Sequence, residues 1–403
     1  MRPIILIYIW CRAEANFYLR FQKAADKMGY CVFYITDKYS SYMYISRKLI
    51  RDNKAFYIEK KHTTHFFATD FSVDIEKRLR IFSDKQIEEI YNTCLSFFDI
   101  FNNMPISYIF MWNGYRVIDH ALQTYASEKN IKTLYFEIAN MPGKIFIDPY
   151  GTNARSLLQQ KPSVLKYFPV NFNDYKTWKQ GYINEKMTQT TVKQAKHTPL
   201  SIAAKDYLLD MWGYLFKNGG CTLEYPFERL YRRFFKSHIL ISNSSSIKGA
   251  YILFPLQVSN DTQVVLNANC SLLEAVKRSI ELARKQNLYL VIKPHPAEKN
   301  PTYVKQLLDV TSTYDKVIFS NENTFKLMKN ALAVVTINST VGLEALILGC
   351  NVHIIGKAFY ENFHTEDDIA RYIMGYLLDV DYWGEKPLSA DILNKMLERA
   401  HLF

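Results

Sequence analysis

Two prolines bracket a histidine in the segment Lys293-Pro-His-Pro296. Proline restricts the backbone, so this segment is expected to hold the imidazole of His295 in one direction. An imidazole held in this way can bind a phosphate or a carboxylate, or act as an acid or base near neutral pH. Lys293 adds a positive charge beside it. A histidine in a purely structural turn is the alternative interpretation.

A second polar segment, Asn338-Ser-Thr-Val-Gly-Leu-Glu-Ala-Leu346, lies between a predicted strand and a predicted helix. Asn, Ser and Thr at a helix start offer hydroxyl groups and backbone N–H groups to an anion. Gly342 in the first turn would allow a ligand to approach closely. The same residue types are the best helix caps, so ordinary capping is the better explanation of the segment when it is taken alone.

A third polar loop, Leu256-Gln-Val-Ser-Asn-Asp-Thr-Gln263, follows another predicted strand and carries groups suited to sugar hydroxyls and a nucleobase edge. A polar surface loop is the alternative. In open α/β sheets, ligands bind outside the carboxyl ends of the strands, and all three loops occupy that position. The candidate residues for binding a nucleotide-sugar donor are Gln257, Asp261, Gln263, Lys293, His295, Pro296, Asn338, Ser339, Thr340, Gly342 and Glu344.

The first half of the chain supplies a candidate catalytic carboxylate, Glu137, at the end of a predicted strand. It could serve as a base, a nucleophile or an acceptor ligand, or be a surface glutamate in a salt bridge. We predict His295 as the second catalytic residue. The candidates for acceptor contact are Asn113, Asn140 and Asn153, the last in a predicted turn that begins at Asp148.

Strands and helices alternate in both halves of the sequence, which predicts parallel sheets. The predicted strands are residues 4–10, 31–35, 107–112, 133–138, 251–256, 288–293, 316–320, 333–337 and 352–355. The predicted helices are residues 14–28, 86–101, 117–129, 271–285, 302–311, 324–330, 341–348 and 365–378. Residues 40–82 read as irregular, and residues 155–235 as helices and loops over the first domain.

The predicted fold class is therefore α/β, with two Rossmann-like domains facing a cleft in a GT-B-type glycosyltransferase architecture. The chain has 403 residues, which is more than one domain with a single hydrophobic core usually contains, so two domains are expected. The predicted divisions are an acceptor-side domain over residues 1–235, a nucleotide-sugar-binding domain over residues 236–385 and a C-terminal helix over residues 386–403.

The net charge of +11 favours an anionic partner. No nucleic-acid-binding signature is present, so nucleic acid is not expected. The basic and aromatic run Arg229–Lys236 fits a solvated helix or a membrane surface. No apolar run is long enough for a membrane span. The six scattered cysteines indicate a reducing compartment, and without an Asp-x-Asp triplet or ligand spacing among histidines no metal is expected.

The chain resembles the bacterial capsule polysaccharide biosynthesis and export family, the retaining β-Kdo glycosyltransferases of the KpsS and KpsC type. The resemblance is carried by residues 254–264, 290–296 and 334–346, and more weakly by Phe136-Glu137 and Gly151–Asn153. It implies a CMP-Kdo donor, no metal, and a cytidine monophosphate bound at His295, Asn338, Ser339 and Thr340. It also implies a lipid or glycan acceptor at the cytoplasmic face of the inner membrane. The expected location is then cytoplasmic or peripheral to an anionic membrane surface, with other capsule-assembly proteins as candidate partners.

The sequence departs from this family at one position. Family members generally carry a second acidic residue followed by glycine after the place of Glu137, where this chain has Ile138 and Ala139. Three interpretations remain open. Glu137 takes the catalytic role, the enzyme uses a different donor such as a UDP-sugar or a glycerol-phosphate donor, or the protein is a non-catalytic capsule assembly or export component.

Overall fold

The computed structural model describes residues 2–49, 54–60, 69–188, 199–219, 247, 249–259, 261–268, 270–298 and 300–402, apart from the side chains of Thr262 and Gln263. The chain divides into two compact units. The first unit comprises Met1–Val164, Ala195–Pro226 and Tyr376–Phe403, and the second comprises Leu165–Gln194 and Phe227–Gly375.

The described strands form a sheet in each unit. They are β1 (Ile4–Tyr8), β2 (Cys31–Thr36), β3 (Ala55–Tyr57), β4 (Ile106–Trp112), β5 (Lys132–Ile138), β6 (Ile145–Asp148), β7 (Tyr251–Pro255), β8 (Tyr289–Lys293), β9 (Val317–Phe319), β10 (Ala333–Thr336) and β11 (Val352–Ile354).

The described α-helices connect and cover these strands. They are α1 (Arg12–Leu19), α2 (Gln22–Lys27), α3 (Tyr39–Lys48), α4 (Ile75–Arg78), α5 (Asp84–Phe98), α6 (Val117–Glu128), α7 (Leu157–Gln160), α8 (Phe172–Thr188), α9 (Leu200–Phe216), α10 (Thr262–Asn267), α11 (Leu272–Lys285), α12 (Pro301–Thr311), α13 (Thr324–Asn330), α14 (Thr340–Leu348), α15 (Glu366–Arg371) and α16 (Ala390–Arg399).

The sheet of the first unit has the order β3-β2-β1-β4-β5-β6 and is parallel except for β6, which pairs antiparallel with β5. Strand β1 shows why the sheet is covered on both faces. Ile5 and Ile7 enter one hydrophobic core, while Leu6 and Tyr8 enter another. Because successive side chains of a strand point to opposite faces, a continuous apolar strand of this kind requires packing on both sides.

The sheet of the second unit has the order β11-β10-β7-β8-β9, and all of its pairings are parallel. Helix α11 begins at Ser271, whose side chain accepts a hydrogen bond from the backbone of Glu274. Ala275, Val276 and Ile280 then place its apolar face on the core. The capping pattern and the apolar spacing in the sequence together specify this helix.

Each sheet has a switch point where the chain reverses its direction of travel across the sheet. In the first unit β1 lies between β2 and β4, and in the second unit β7 lies between β8 and β10. Loops on either side of such a point diverge to opposite faces and leave a crevice at the carboxyl ends of the strands. The predicted α/β class with two Rossmann-like sheets is confirmed.

Several local predictions were wrong. The stretch 40–82, predicted as irregular, contains α3, β3 and α4. Strand β6, which ends at Asp148, was not predicted, although the chain does bend directly after it as expected. The predicted helix over residues 14–28 is two helices, α1 and α2, and the one over residues 365–378 is α15 followed by a π-helical turn. These elements are short, and periodicity is least reliable over few residues.

The division of the chain differs from the predicted boundaries at residues 235 and 385. Helix α8 belongs to the second unit, where Lys179 lies 2.6 Å from Glu366. Helix α16 belongs to the first unit, where Arg399 donates to the backbone oxygen of Tyr376 at 2.7 Å. An apolar pattern predicts a helix and its buried face, but it carries no information about which sheet receives that face.

Candidate functional site

A pair of side-chain amides joins the loops on the two sides of the second unit's switch point. Gln257, directly beyond β7, is buried, and its Nε2 donates to Oδ1 of Asn338 at 3.1 Å. Its Oε1 in turn accepts from the backbone N–H of Asn338 at 3.5 Å. The two contacts fix both amides, so the NH2 group of Asn338 points away from Gln257.

His295 lies in the neighbouring loop, beyond β8. Its Nδ1 accepts a hydrogen bond from the backbone N–H of Ala297 at 3.1 Å. A nitrogen that accepts cannot carry the proton of a neutral ring, so Nε2 is the donor. The ring reaches solvent, yet the packed loop withdraws water from it and lowers its pKa, an effect that Asp261 and Glu298 oppose. His295 therefore offers a neutral N–H donor at neutral pH.

Glu298 ties the His295 loop to the Gln257 loop. Its carboxylate accepts from the backbone N–H of Ser259 at 2.6 Å and from the Ser259 hydroxyl at 3.1 Å. Gln257, His295, Asn338 and Ser339 thus occupy loops at the ends of three adjacent strands, and we call them the switch-point site. The structure brings these predicted residues to one edge of the sheet.

The side chain of Lys293 bonds to a different loop. Its Nζ donates to the backbone oxygen of Glu322 at 2.6 Å, in the loop beyond β9, and burial lowers its pKa. Pro296 is exposed beside His295, and Asp261 precedes α10. The side chain of Gln263 lies outside the described residues. Lys293 therefore braces the loop, while Asp261 influences His295 through its charge.

The start of helix α14 uses most of its own backbone donors. Ser339 N–H donates to the Thr336 hydroxyl at 3.2 Å, and Val341 N–H to the Ser339 hydroxyl at 3.3 Å. Gly342 N–H donates to the Ser339 backbone oxygen at 2.9 Å. Thr340, the first residue of α14, is exposed.

Gly342 has a packing role that the sequence did not reveal. A Cβ at this position would lie 2.4 Å from the Tyr360 hydroxyl and 2.8 Å from Cγ2 of Thr336. The Tyr360 hydroxyl also donates to the backbone oxygen of Ser339. Glycine is needed here for the close approach of Tyr360, whereas we had expected it to admit a ligand.

Glu344 has partners within the second unit's helices. It is buried, and its Oε1 accepts from the Tyr182 hydroxyl at 2.7 Å and from Lys186 Nζ at 2.8 Å. Both partners belong to α8, so these contacts of Glu344 hold α8 against α14. They give it a packing role in addition to the donor contact predicted from the sequence.

In the first unit, the structure brings together three of the residues predicted there. Nδ2 of Asn153 donates to Oε2 of Glu137 at 2.8 Å. Asn113 lies at the end of β4, and its backbone oxygen accepts from the Thr152 hydroxyl at 3.3 Å. Its Oδ1 is buried and has no hydrogen-bond partner within the part of the chain that the structure describes. Glu137 and these asparagines form a polar cluster at the carboxyl ends of β4 and β5.

Asp148 holds in place the loop that contributes Asn153 to this cluster. It is fully buried, and its carboxylate accepts from the backbone N–H groups of Tyr150, Gly151, Leu157 and Leu158 and from the Tyr376 hydroxyl. Burial raises its pKa, and the Tyr376 hydroxyl and backbone N–H groups oppose the rise. The carboxylate fixes the loop that carries Asn153, as expected of a buried charge with several donors.

Two neighbours of Glu137 have different surroundings. Ile138, at the place where the family generally has an acid, is 44% exposed. Its side chain leaves an apolar surface beside Glu137. Asn140 lies in the turn between β5 and β6, where Ala139 N–H bonds to the backbone oxygen of Lys144 at 3.2 Å.

The sequence missed a buried acidic group at the first unit's switch point. Glu14 is 5% exposed and accepts from the backbone N–H of Trp10 at 2.8 Å; burial raises its pKa to about 7. Asp119 is wholly buried, accepts from the backbone of Arg116 at 3.1 Å, and its Oδ1 lacks a partner among the described residues. The Arg116 guanidinium lies 3.7 Å from the centre of the Trp10 ring.

Glu14 could have been recognised from its spacing. It precedes Ala15, Phe17 and Tyr18, so the helical period places it on the buried face of α1. Asp119 looks like a simple capping residue of α6, and no sequence signal separates the two roles.

The predictions about a metal, a membrane span and the basic run can be compared with the structure only where it describes the chain. They contain no group of three or more His, Cys, Asp or Glu side chains placed to hold a metal ion. None of their helices is long and apolar enough to cross a membrane. The basic run Arg229–Lys236 lies outside them.

The described fold and site define an α/β protein whose polar loops converge at the switch point of a parallel sheet. The chain belongs to the capsule polysaccharide biosynthesis protein family, whose model matches residues 109–368. That range includes both the Glu137 cluster and the switch-point site. The predicted family is thereby confirmed, and the protein takes part in capsule polysaccharide biosynthesis.

Individual relatives are more distant. The capsule polysaccharide export protein KpsS of Escherichia coli is 23% identical over 287 residues, which is 65% of this chain and 70% of that protein. Protein FixF of Sinorhizobium fredii is 34% identical over 116 residues, 27% of each chain. The KpsC β Kdo 2,7 transferase of Thermosulfurimonas dismutans covers 99% of both chains at 15% identity, with a TM-score of 0.45.

Proposed function

We propose that this protein is a glycosyltransferase of capsule polysaccharide biosynthesis that binds its nucleotide-sugar donor at the switch-point site. The observation that carries the proposal is the Gln257–Asn338 amide pair, which joins the loops beyond β7 and β10 at the switch point. Fixed amides suit a nucleobase or ribose, and a fixed imidazole N–H suits a phosphate. Family membership supports the same assignment.

The donor proposed is CMP-Kdo or a related CMP-sugar, used without a metal. In the transfer, the bond between the anomeric carbon and the phosphate oxygen breaks, and CMP leaves with the electron pair. The Nε2–H of His295 and the N–H of Thr340 would donate to the departing phosphate. Donors fixed in advance stabilise developing charge effectively because they need no reorganisation.

Glu137 would act on the acceptor. The acceptor hydroxyl oxygen forms the new bond to the anomeric carbon, and its proton passes to a carboxylate. Asn153 donates to Oε2 of Glu137 at 2.8 Å and so orients the carboxylate that would take the proton. The acceptor proposed is a lipid or glycan at the cytoplasmic face of the membrane.

A panel of nucleotides tests the donor. CMP should raise the melting temperature of the full chain, by an amount that grows with concentration, because a ligand that binds only the folded state stabilises it. UMP, UDP and GDP are the comparisons. A shift with UDP alone would exclude the Kdo donor, and no shift with any of them would exclude a nucleotide-sugar transferase.

A second candidate function is a non-catalytic assembly component that still binds nucleotide. The exposed Ile138 beside Glu137 favours it, because an acid is expected there. Glu137→Gln separates the candidates: in a transferase it should keep the CMP-induced shift and reduce sugar transfer by about 100-fold or more. Asn102→Ala, an exposed asparagine elsewhere in the first unit, serves as the control that should leave transfer unchanged. Full activity of Glu137→Gln would contradict its role.

A further inference from the structure

Helix α9 has its polar and apolar sides reversed relative to an ordinary surface helix. Towards the rest of the first unit it presents acids: Asp206 pairs with Arg12, and Asp210 accepts from the backbone N–H of Ser40 at 2.8 Å. Gly213 on the same side is buried, and a Cβ there would lie 2.3 Å from Cβ of Tyr39. Polar contacts and close backbone packing therefore hold α9 in place.

The opposite side of α9 is apolar and open. Leu208, Trp212, Leu215 and Phe216 are 65%, 52%, 61% and 64% exposed, and we call them the apolar face of α9. The rings of Trp212 and Phe216 contact each other, with centroids 4.5 Å apart and planes tilted by 38°. Positions 208, 212 and 215 follow the helical period, so they form one stripe. A contiguous exposed patch of this type marks an interaction surface.

The exposed charges of α9 and of the neighbouring α3 have one sign, and the exposed acid Glu59 lies beyond them, where it bridges Gly219. Both acids of α9 point inward, and α3, on which α9 packs, contains no acid. The exposed charged residues of these two helices and the position after α9 are Arg47, Lys48, Lys205 and Lys217. Aromatic and leucine side chains bordered by cations are the composition that lies in the interface of an anionic bilayer.

We propose that the apolar face of α9 inserts into the headgroup region of an anionic membrane and attaches the protein to it. Buried apolar area supplies the binding free energy, and the surrounding lysines and arginines make it depend on anionic lipid. The surface lies in the first unit and does not rest on the proposed donor site. It would bring the protein to the surface where a lipid acceptor lies.

Vesicle flotation of the full chain tests this surface. The wild type should float with vesicles of phosphatidylcholine and phosphatidylglycerol, and weakly with phosphatidylcholine alone. The triple variant Trp212→Ser, Leu215→Ser, Phe216→Ser should bind the anionic vesicles at least about tenfold less, because it loses most of the inserted apolar area. The matched control is Leu308→Ser with Leu332→Ser, which removes exposed leucines of the second unit and should bind as the wild type does.

Tryptophan emission and oligomeric state complete the test. Phosphatidylglycerol with brominated acyl chains should quench the wild type, and Trp212→Phe should remove most of that quenching. Equal vesicle binding by the triple variant would overturn the proposal. A lowered melting temperature of that variant would show that the face packs against the chain itself, and conversion of a dimer to a monomer would show that a second copy covers it. Asn338→Ala should still bind vesicles, which separates this proposal from the donor site.

Discussion

At the scale of single residues, the candidate site depends on which atom of each side chain is already used. His295 accepts through Nδ1, so it can donate only through Nε2. Gln257 fixes the amide of Asn338, and Asn153 holds one oxygen of Glu137. The sequence predicted Gln257, His295, Asn338 and Glu137 from their places at the ends of strands, and Asn153 from a turn. It could not predict their pairing, because Gln257 and Asn338 are 81 positions apart and meet only through the order of the strands.

Glu14 provides a pH-dependent prediction at this scale. Its pKa is about 7 in the fold, against an ordinary value of 4.5, because burial disfavours the charge. Between these pH values the folded state binds more protons than the unfolded state, so stability falls as the pH rises from about 4.5 to about 7. Glu14→Gln should remove this loss and be more stable than the wild type at pH 8, by up to about 3 kcal/mol.

Urea denaturation at pH 5 and pH 8 measures the effect. The variant should match the wild type closely at pH 5 and differ at pH 8. If both proteins lose the same free energy of unfolding between these values, Glu14 does not carry a buried proton. The Gln side chain keeps an oxygen to accept from the Trp10 backbone, so the helix start is preserved.

At the scale of elements, the sequence predicted most long strands and helices and missed the short or edge elements. Strands such as β1 and β8 are continuous apolar runs, which a parallel sheet requires. β6 is antiparallel and ends in Asp148, a residue typical of turns, so its sequence pattern was misleading. The start of α14 was predicted as an anion site, yet three of its N–H groups are satisfied locally.

Gly342→Ala tests the packing role of this helix start. The added methyl group must displace Tyr360 and Thr336, so the free energy of unfolding should fall by about 1–3 kcal/mol. Gly181→Ala is the matched control. It lies in α8 with nothing within 4 Å of the added Cβ, and it should raise stability by about 0.5–1 kcal/mol. Unchanged stability of Gly342→Ala would contradict the assigned contact with Tyr360.

At the scale of the whole molecule, the chain is two α/β units, and its segments cross between them. α8 belongs to the second unit and α16 to the first, and no local pattern reveals this because the residues of a helix do not specify which sheet it packs on. The predicted fold class was nevertheless correct, because alternating strands and helices allow few other arrangements. Membership of the capsule polysaccharide biosynthesis protein family spans parts of both units.

The most direct test of the central claim is calorimetric titration of CMP into the full chain and into Gln257→Ala and Asn338→Ala. The wild type should bind CMP, and each variant should bind it at least about tenfold more weakly, since each loses about 1–2 kcal/mol of fixed hydrogen bonding. Asn394→Ala, an exposed asparagine of α16, should bind as the wild type does. CMP binding that is unchanged in both amide variants would contradict a nucleotide site at the switch point of the second unit.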